Sequence, residues 1–198
     1  MAKGAENDTS VRPSADGLAA SARAASKGGP PPVHLWDPPH CGDLDMEIRR
    51  DGTWFYEGTP IGRPGLVRLF ASILRRDGDE YVLVTPVEKV GIRVEDAPFV
   101  AVDFERVGGA SDPTLVFTTN VGDRVEAGPD HAIRVERREE GPAPYLHVRR
   151  GLEALIDRKS FYRLADIGET AEHQGAEWFG VRSRGAFFPM IPARELPD

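Results

Sequence analysis

The sequence has a single cysteine, Cys41, among its 198 residues. One thiol excludes an internal disulfide and suits a reducing compartment, so a cytoplasmic location is expected. No apolar run approaches the ~20 residues needed to cross a bilayer, and the N-terminus lacks the apolar stretch of a secretory signal. There is no excess of positive charge: the formal net charge is −7 and the pI is near 5.3. Such a surface matches phosphate backbones poorly, and no polybasic block is long enough to hold an anionic membrane. Neither nucleic acid nor membrane is therefore expected as a partner. Also missing are a P-loop, a G-x-G-x-x-G fingerprint, a G-x-S-x-G elbow and an H-E-x-x-H pair. With no catalytic signature, no catalytic residue and no cofactor are assigned, and the reading inclines away from an enzyme.

What is present is a globular composition, 40% hydrophobic and 29% charged, punctuated by 21 glycines and 17 prolines. That punctuation implies many turns between short strands. Residues 1–32 are rich in Ala, Ser and Gly and end in Gly28-Gly29-Pro30-Pro31-Pro32. They read as a disordered tail with a weak Ala/Leu patch at Leu18–Ala25, because such a stretch buries too little surface to offset ordering entropy. The fold is expected to begin near Trp36, with an N-terminal lobe over 33–98 and a β-rich C-terminal lobe with one helix over 99–198.

The strand signals are alternating runs. Met46–Arg50 and Thr53–Tyr56 flank Asp51-Gly52, a hairpin turn signal. Leu66, Leu69, Phe70, Ile73 and Leu74 then recur at helical spacing, with Pro64 at the start, Arg75-Arg76 near the end and Gly78 as the stop. Strands are expected at Tyr81–Val84, Gly91–Glu95, Phe99–Val107, Leu115–Thr118, His131–Arg138, Tyr145–Arg149, Leu152–Ile156, Trp178–Ser183 and Ala186–Ile191. A second helix is expected over Lys159–Ile167.

The order strand, strand, helix, strand, strand thus occurs twice, over Met46–Glu95 and Leu146–Ile191. Ile48-Arg49-Arg50 answers Val148-Arg149-Arg150, and Tyr81-Val82-Leu83-Val84 answers Trp178-Phe179-Gly180-Val181. The fold class is therefore α+β and β-rich, with two small lobes made from a repeated motif. A groove where such halves meet is a preferred ligand site.

The densest polar cluster is His40-Cys41-Gly42-Asp43-Leu44-Asp45. Asp43 and Asp45 share a strand face and, with Glu88, would suit Mg²⁺ or Mn²⁺. Zinc finds no second cysteine and no i, i+4 histidine pair. Cys41 reads as a small buried thiol, since the adjacent His40 faces the other way in an extended chain. Trp54-Phe55-Tyr56 reads as core packing before a stacking platform. Arg49, Arg63 and Arg149 are candidates to read a phosphate or carboxylate bidentately, although arginines on exposed sheet faces are common.

Several of these stretches together resemble a known family. They are Cys41-Gly42-x-x-Asp45-Met46-x-Ile48, Asp51-Gly52-Thr53-Trp54-Phe55-Tyr56, Pro60-Ile61-x-Arg63, Leu66–Phe70, Leu83–Val90 and Val94–Phe99. Phe117-Thr118-Thr119-Asn120, His147-Val148-Arg149, Gly151–Ile156 and Phe187-Phe188-Pro189 continue the set. The combination resembles the proteobacterial domain of unknown function twelve-eighty-five over nearly everything after the tail. The close at Pro189-Met190-Ile191-Pro192 departs from the family's pattern. The resemblance implies a two-domain α+β fold with a repeated motif and a second half like pleckstrin-homology folds. It also implies a ligand site between the domains and a signalling role, and it supplies no catalytic residue.

The function expected is a regulatory binding module for a small molecule or protein partner. Asp45, Trp54, Arg63, Glu88, Lys89, His147 and Arg149 are the expected ligand-facing residues, and no metal ligand is assigned among them. The alternative is a metal-assisted hydrolase using Asp43, Asp45 and Glu88.

Overall fold

A computed structural model describes residues 13–26, 29–109 and 112–196. The elements run α1 (Ala15–Ala25), β1 (His40–Ile48), β2 (Trp54–Tyr56), β3 (Thr59–Pro60), α2 (Pro64–Ser72), β4 (Leu74–Asp77), β5 (Glu80–Val84) and β6 (Lys89–Val94). There follow β7 (Phe99–Gly109), β8 (Asp112–Thr119), β9 (Arg124–Glu126), β10 (Ile133–Arg138), β11 (Gly141–Arg149) and β12 (Leu152–Ile156). The chain closes with α3 (Arg158–Asp166), β13 (Glu169–His173), β14 (Ala176–Ser183) and β15 (Ala186–Pro192). By backbone pairing, β3-β2-β1-β6-β5-β4 form one six-stranded sheet, β10-β11-β12-β7-β8-β9 another, and β13-β14-β15 a three-stranded one. The protein is thus a β-rich α+β fold.

The chain divides into two compact units, Met1–Asp45 with Leu69–Ile92, and Met46–Arg68 with Arg93–Asp198. Strands β1 and β6 contribute to both. In the first unit, α1 occupies Ala15–Ala25 within the stretch 1–32 expected to be disordered, of which residues 1–12 and 27–28 lie outside the described ones. Ser14 caps α1 by accepting the Gly17 amide at 3.2 Å, and Asp16 and Arg23 sit where the helix dipole favours them. Leu18, Ala19 and Ala22 are buried, which supplies the burial the expectation of disorder denied.

Helix α2 ends at Ser72, and Leu74–Asp77 form β4 instead of the last helical turn expected there. Ile73 and Leu74 are both buried, so their apolar spacing marks core positions and not a continuing helix. Arg75 serves no helix dipole. Its Nη1 donates to the carbonyls of Val33 and Trp36 at 2.9 and 2.7 Å, while Nε and Nη2 grip the Asp77 carboxylate at 2.6 and 2.7 Å. Lys89 Nζ donates to the same carboxylate at 3.0 Å. Cys41, read as buried, is exposed on β1, because the buried face there belongs to Leu44 and Met46.

In the second unit, the hairpin β11–β12 and the parallel pair β12–β7 organise the sheet around Phe99, Phe117, Leu146 and Leu152. Helix α3, capped by Asp157 on the Ser160 amide at 2.7 Å, buries Leu164. Asp96, 7% exposed at its side chain, accepts from Tyr145 Oη at 2.7 Å and from two Arg138 nitrogens at 3.2 and 3.1 Å, and pairs with Arg50 at 3.2 Å. Burial, followed by the Asp96 carboxylate, pushes the Tyr145 phenol well above its ordinary range. The three-stranded sheet is fastened to β8 by Ser183, whose Oγ accepts the Leu115 amide at 2.8 Å and donates to the Ala127 carbonyl at 2.7 Å.

The first stretch runs three strands, a helix and three strands, and the second runs two strands, a helix and three strands. Their pairing differs. In the first stretch the hairpin and the later strands join one sheet, whereas in the second, β13–β15 stand as their own sheet.

Candidate functional site

Five segments of the second unit converge on a polar depression of about 420 Å³. The turn from β8 into β9 brings Asp123, β9 brings Arg124 and Glu126, the following turn brings His131, β11 brings Arg149, and the β14–β15 turn brings Arg184. Each placement has a local cause. Asp123 donates its amide to Thr119 Oγ1 at 3.0 Å, fixing the first turn. Gly128 and His131 exchange backbone hydrogen bonds at 3.1 Å, closing the second. Arg184 adopts φ +49° ahead of Gly185 at φ +73°, and its amide donates to the Pro113 carbonyl at 2.9 Å. The Ser183 anchor beside it holds that turn on the main sheet.

The electrostatics are mixed but weighted positive, with three arginines against two carboxylates in the lining. Arg149 pairs with Asp123 and lies over the Phe99 ring at 4.8 Å. Arg184 pairs with Glu126 at 3.3 Å, and Arg124 pairs with Glu105 outside the lining. The Arg184–Glu126 and Arg124–Glu105 pairs are about half exposed on both sides, so they contribute little to stability and are readily exchanged.

Backbone partners set the tautomers of both histidines. His147 Nδ1 donates to the Asp130 carbonyl at 2.8 Å, and its Nε2 accepts the Gly151 amide at 3.1 Å. A neutral ring with its proton on Nδ1 satisfies both partners. His131 Nδ1 donates to the His147 carbonyl at 3.1 Å, and the two rings stack with centroids 5.8 Å apart. That bond places the His131 proton on Nδ1.

Of the seven residues expected to face a ligand, Arg149 lines this depression and His147 supports its wall. Asp45 is exposed on β1, and Glu88 and Lys89 flank the start of β6, all in the first unit. Trp54, at 1% exposure, is in the core of the second unit, and Arg63 is exposed just before α2. Arg124, His131 and Arg184 were not among the expected residues. Among the described residues, no three His, Cys, Asp or Glu side chains gather to hold a metal ion, so Asp43, Asp45 and Glu88 do not form the site the hydrolase alternative needs. No described helix is long and apolar enough to cross a membrane.

Comparison with known proteins gives a consistent class. The N-terminal domain model of a domain of unknown function, DUF1285, matches residues 31–97, and the family's C-terminal domain model matches residues 98–190. The chain belongs to the DUF1285 family. A DUF1285 family protein from Silicibacter pomeroyi DSS-3 has a crystal structure similar to this one, with 61% identity and a TM-score of 0.82, over 92% of this chain and 98% of that one. A second, from Shewanella baltica OS155, is 35% identical with a TM-score of 0.50, over 62% of this chain and 91% of that one. No curated protein matches the chain.

Proposed function

We propose that the chain is a binding module that holds a small anionic ligand, a carboxylate or a phosphate ester, in the polar depression and reports its occupancy to a partner. The observation that carries this reading is the convergence of Arg124, Arg149, Arg184 and His131 from separate segments on one concave surface. Guanidinium groups match carboxylate and phosphate oxygens two at a time. The carboxylate partners of Arg124 and Arg184 are solvent-exposed, so an incoming anion replaces them at little cost. Arg184 rides on the small sheet, which gives occupancy a structural element to hold in place.

The test is thermal-shift screening with inorganic phosphate and a panel of phosphate- and carboxylate-bearing metabolites, followed by calorimetry on hits. At least one anion is expected to raise the melting temperature, and Arg184→Ala is expected to weaken it about tenfold or more, the worth of one charge-assisted bidentate contact. A panel without any stabilising anion, or an Arg184→Ala variant that binds like the parent, rejects the proposal.

A further inference from the structure

The second unit has another concavity, about 400 Å³, that shares no lining residue with the polar depression. One wall is the β10–β11 hairpin, with Val135 and Pro142. The opposite wall is α3, where Phe161 and Ala165, one turn apart, fall on the same face. Phe179, Met190, Ile191 and Leu196 complete the lining from β14, β15 and the closing turn. These are apolar side chains that remain only partly buried: Phe161, Ala165, Phe179, Met190 and Ile191 are all of intermediate exposure. Gly168, just past α3, lies against the Phe179 ring. A Cβ there would come within 2.2 Å of Phe179 Cζ, so only glycine lets the ring lie against the backbone just past α3.

Two arginines line the same cleft, Arg137 and Arg138, and they differ in commitment. Arg138 is held by the buried Asp96 carboxylate. Arg137 is 63% exposed and pairs with Glu195, itself 35% exposed, on the turn that carries Leu196. An exposed pair of this kind contributes little and gives way to a competing carboxylate. The cleft therefore offers an apolar volume of small-molecule size with one exchangeable cation beside it.

We propose that this cleft binds a medium-chain carboxylate, its unbranched chain of about eight to twelve carbons lying between α3 and the β10–β11 hairpin and its head group on Arg137 in place of Glu195. Apolar walls reward chain length, and a single guanidinium matches a single terminal carboxylate. Met190 suits such a ligand, since its unbranched thioether adapts to an irregular chain.

The experiment is calorimetric titration of the full chain with octanoate, decanoate and decanol below their micelle concentrations, with Met-methyl NMR as a second readout. Decanoate is expected to saturate one site and to bind more tightly than octanoate by roughly fourfold per added methylene that the cleft buries. Arg137→Ala should weaken decanoate about tenfold while leaving decanol unchanged. Ala165→Trp, which fills the cleft, should abolish binding while circular dichroism confirms the fold. Should that variant not fold, the NMR readout decides: decanoate should shift the Met190 methyl and leave the buried Met46 methyl in place. No saturable decanoate site, decanol binding as tightly as decanoate, or a shift at Met46 without one at Met190 overturns the proposal.

Discussion

At the scale of single residues, four side chains hold a backbone conformation that is awkward for them. Glu57, Arg150, Gln174 and Arg184 have φ of 48, 43, 53 and 49°, and each precedes a glycine at φ 72, 75, 79 or 73°. In every case the flanking strands pair across a two-residue loop, at Tyr56↔Thr59, Arg149↔Leu152, His173↔Ala176 and Ser183↔Ala186. This is the hairpin form whose twist matches antiparallel strands, and it favours Asn or Asp at its first position. The turns were only half visible in the sequence for that reason: the glycines stand out, but Glu, Arg and Gln carry no turn signal of their own. The same gap hid Arg184 as a site residue. Gln174 serves neither concavity, so Gln174→Asn is expected to stabilise the protein by about 0.5 kcal/mol, measured by urea denaturation. A loss of stability would show that the Gln174 side chain makes a contribution the turn geometry does not explain.

At the scale of elements, the first unit turns on the Arg75–Asp77–Lys89 cluster that ties β4 to the stretch before β1. The Arg75 hydrogen bond, followed by that from Lys89, holds the Asp77 carboxyl at about 2, below its ordinary 3.8, against an opposing effect of burial. A carboxyl whose pKa falls on folding adds stability that is complete above its unfolded value and lost as the pH drops through its folded one. Denaturant titrations should therefore show the parent losing this contribution between about pH 4 and pH 2. Asp77→Asn should be less stable at pH 7 and should lack that part of the acid-induced loss. An identical acid profile in both proteins would remove Asp77 from the account. The cluster could not be read from the chain, because Arg75 and Asp77 follow directly on the helical periodicity of Leu66–Leu74, and strand pairing with β5 overrides it. The stretch Met46–Ile48 was legible because its buried face repeats every second residue, whereas in β7 Phe99, Val100 and Ala101 are all buried and a register shift between Ala101 and Asp103 breaks the alternation.

At the scale of the molecule, the two matched family stretches, 31–97 and 98–190, are joined within the second unit by Asp96. Its carboxylate meets Arg50 from the first stretch and Arg138 and Tyr145 from the second. Removing its charge leaves guanidinium groups facing a neutral amide in a largely buried setting, so Asp96→Asn should cost on the order of 2–3 kcal/mol and lower the melting temperature by several degrees. A variant that melts like the parent would show the junction is held by apolar packing alone. This long-range network, and the separation of β13–β15 into their own sheet, were not legible because pairing between distant strands leaves no local pattern. Apolar spacing within α3, by contrast, placed that helix to within a residue of its observed span.

The solitary thiol at Cys41, exposed on its strand, has a practical consequence. A maleimide dye has one place to attach, and no native sulfhydryl must be removed first. The tumbling rate of that label then shows directly whether a second macromolecule joins the protein, and whether an anion or a fatty acid must be added before it does.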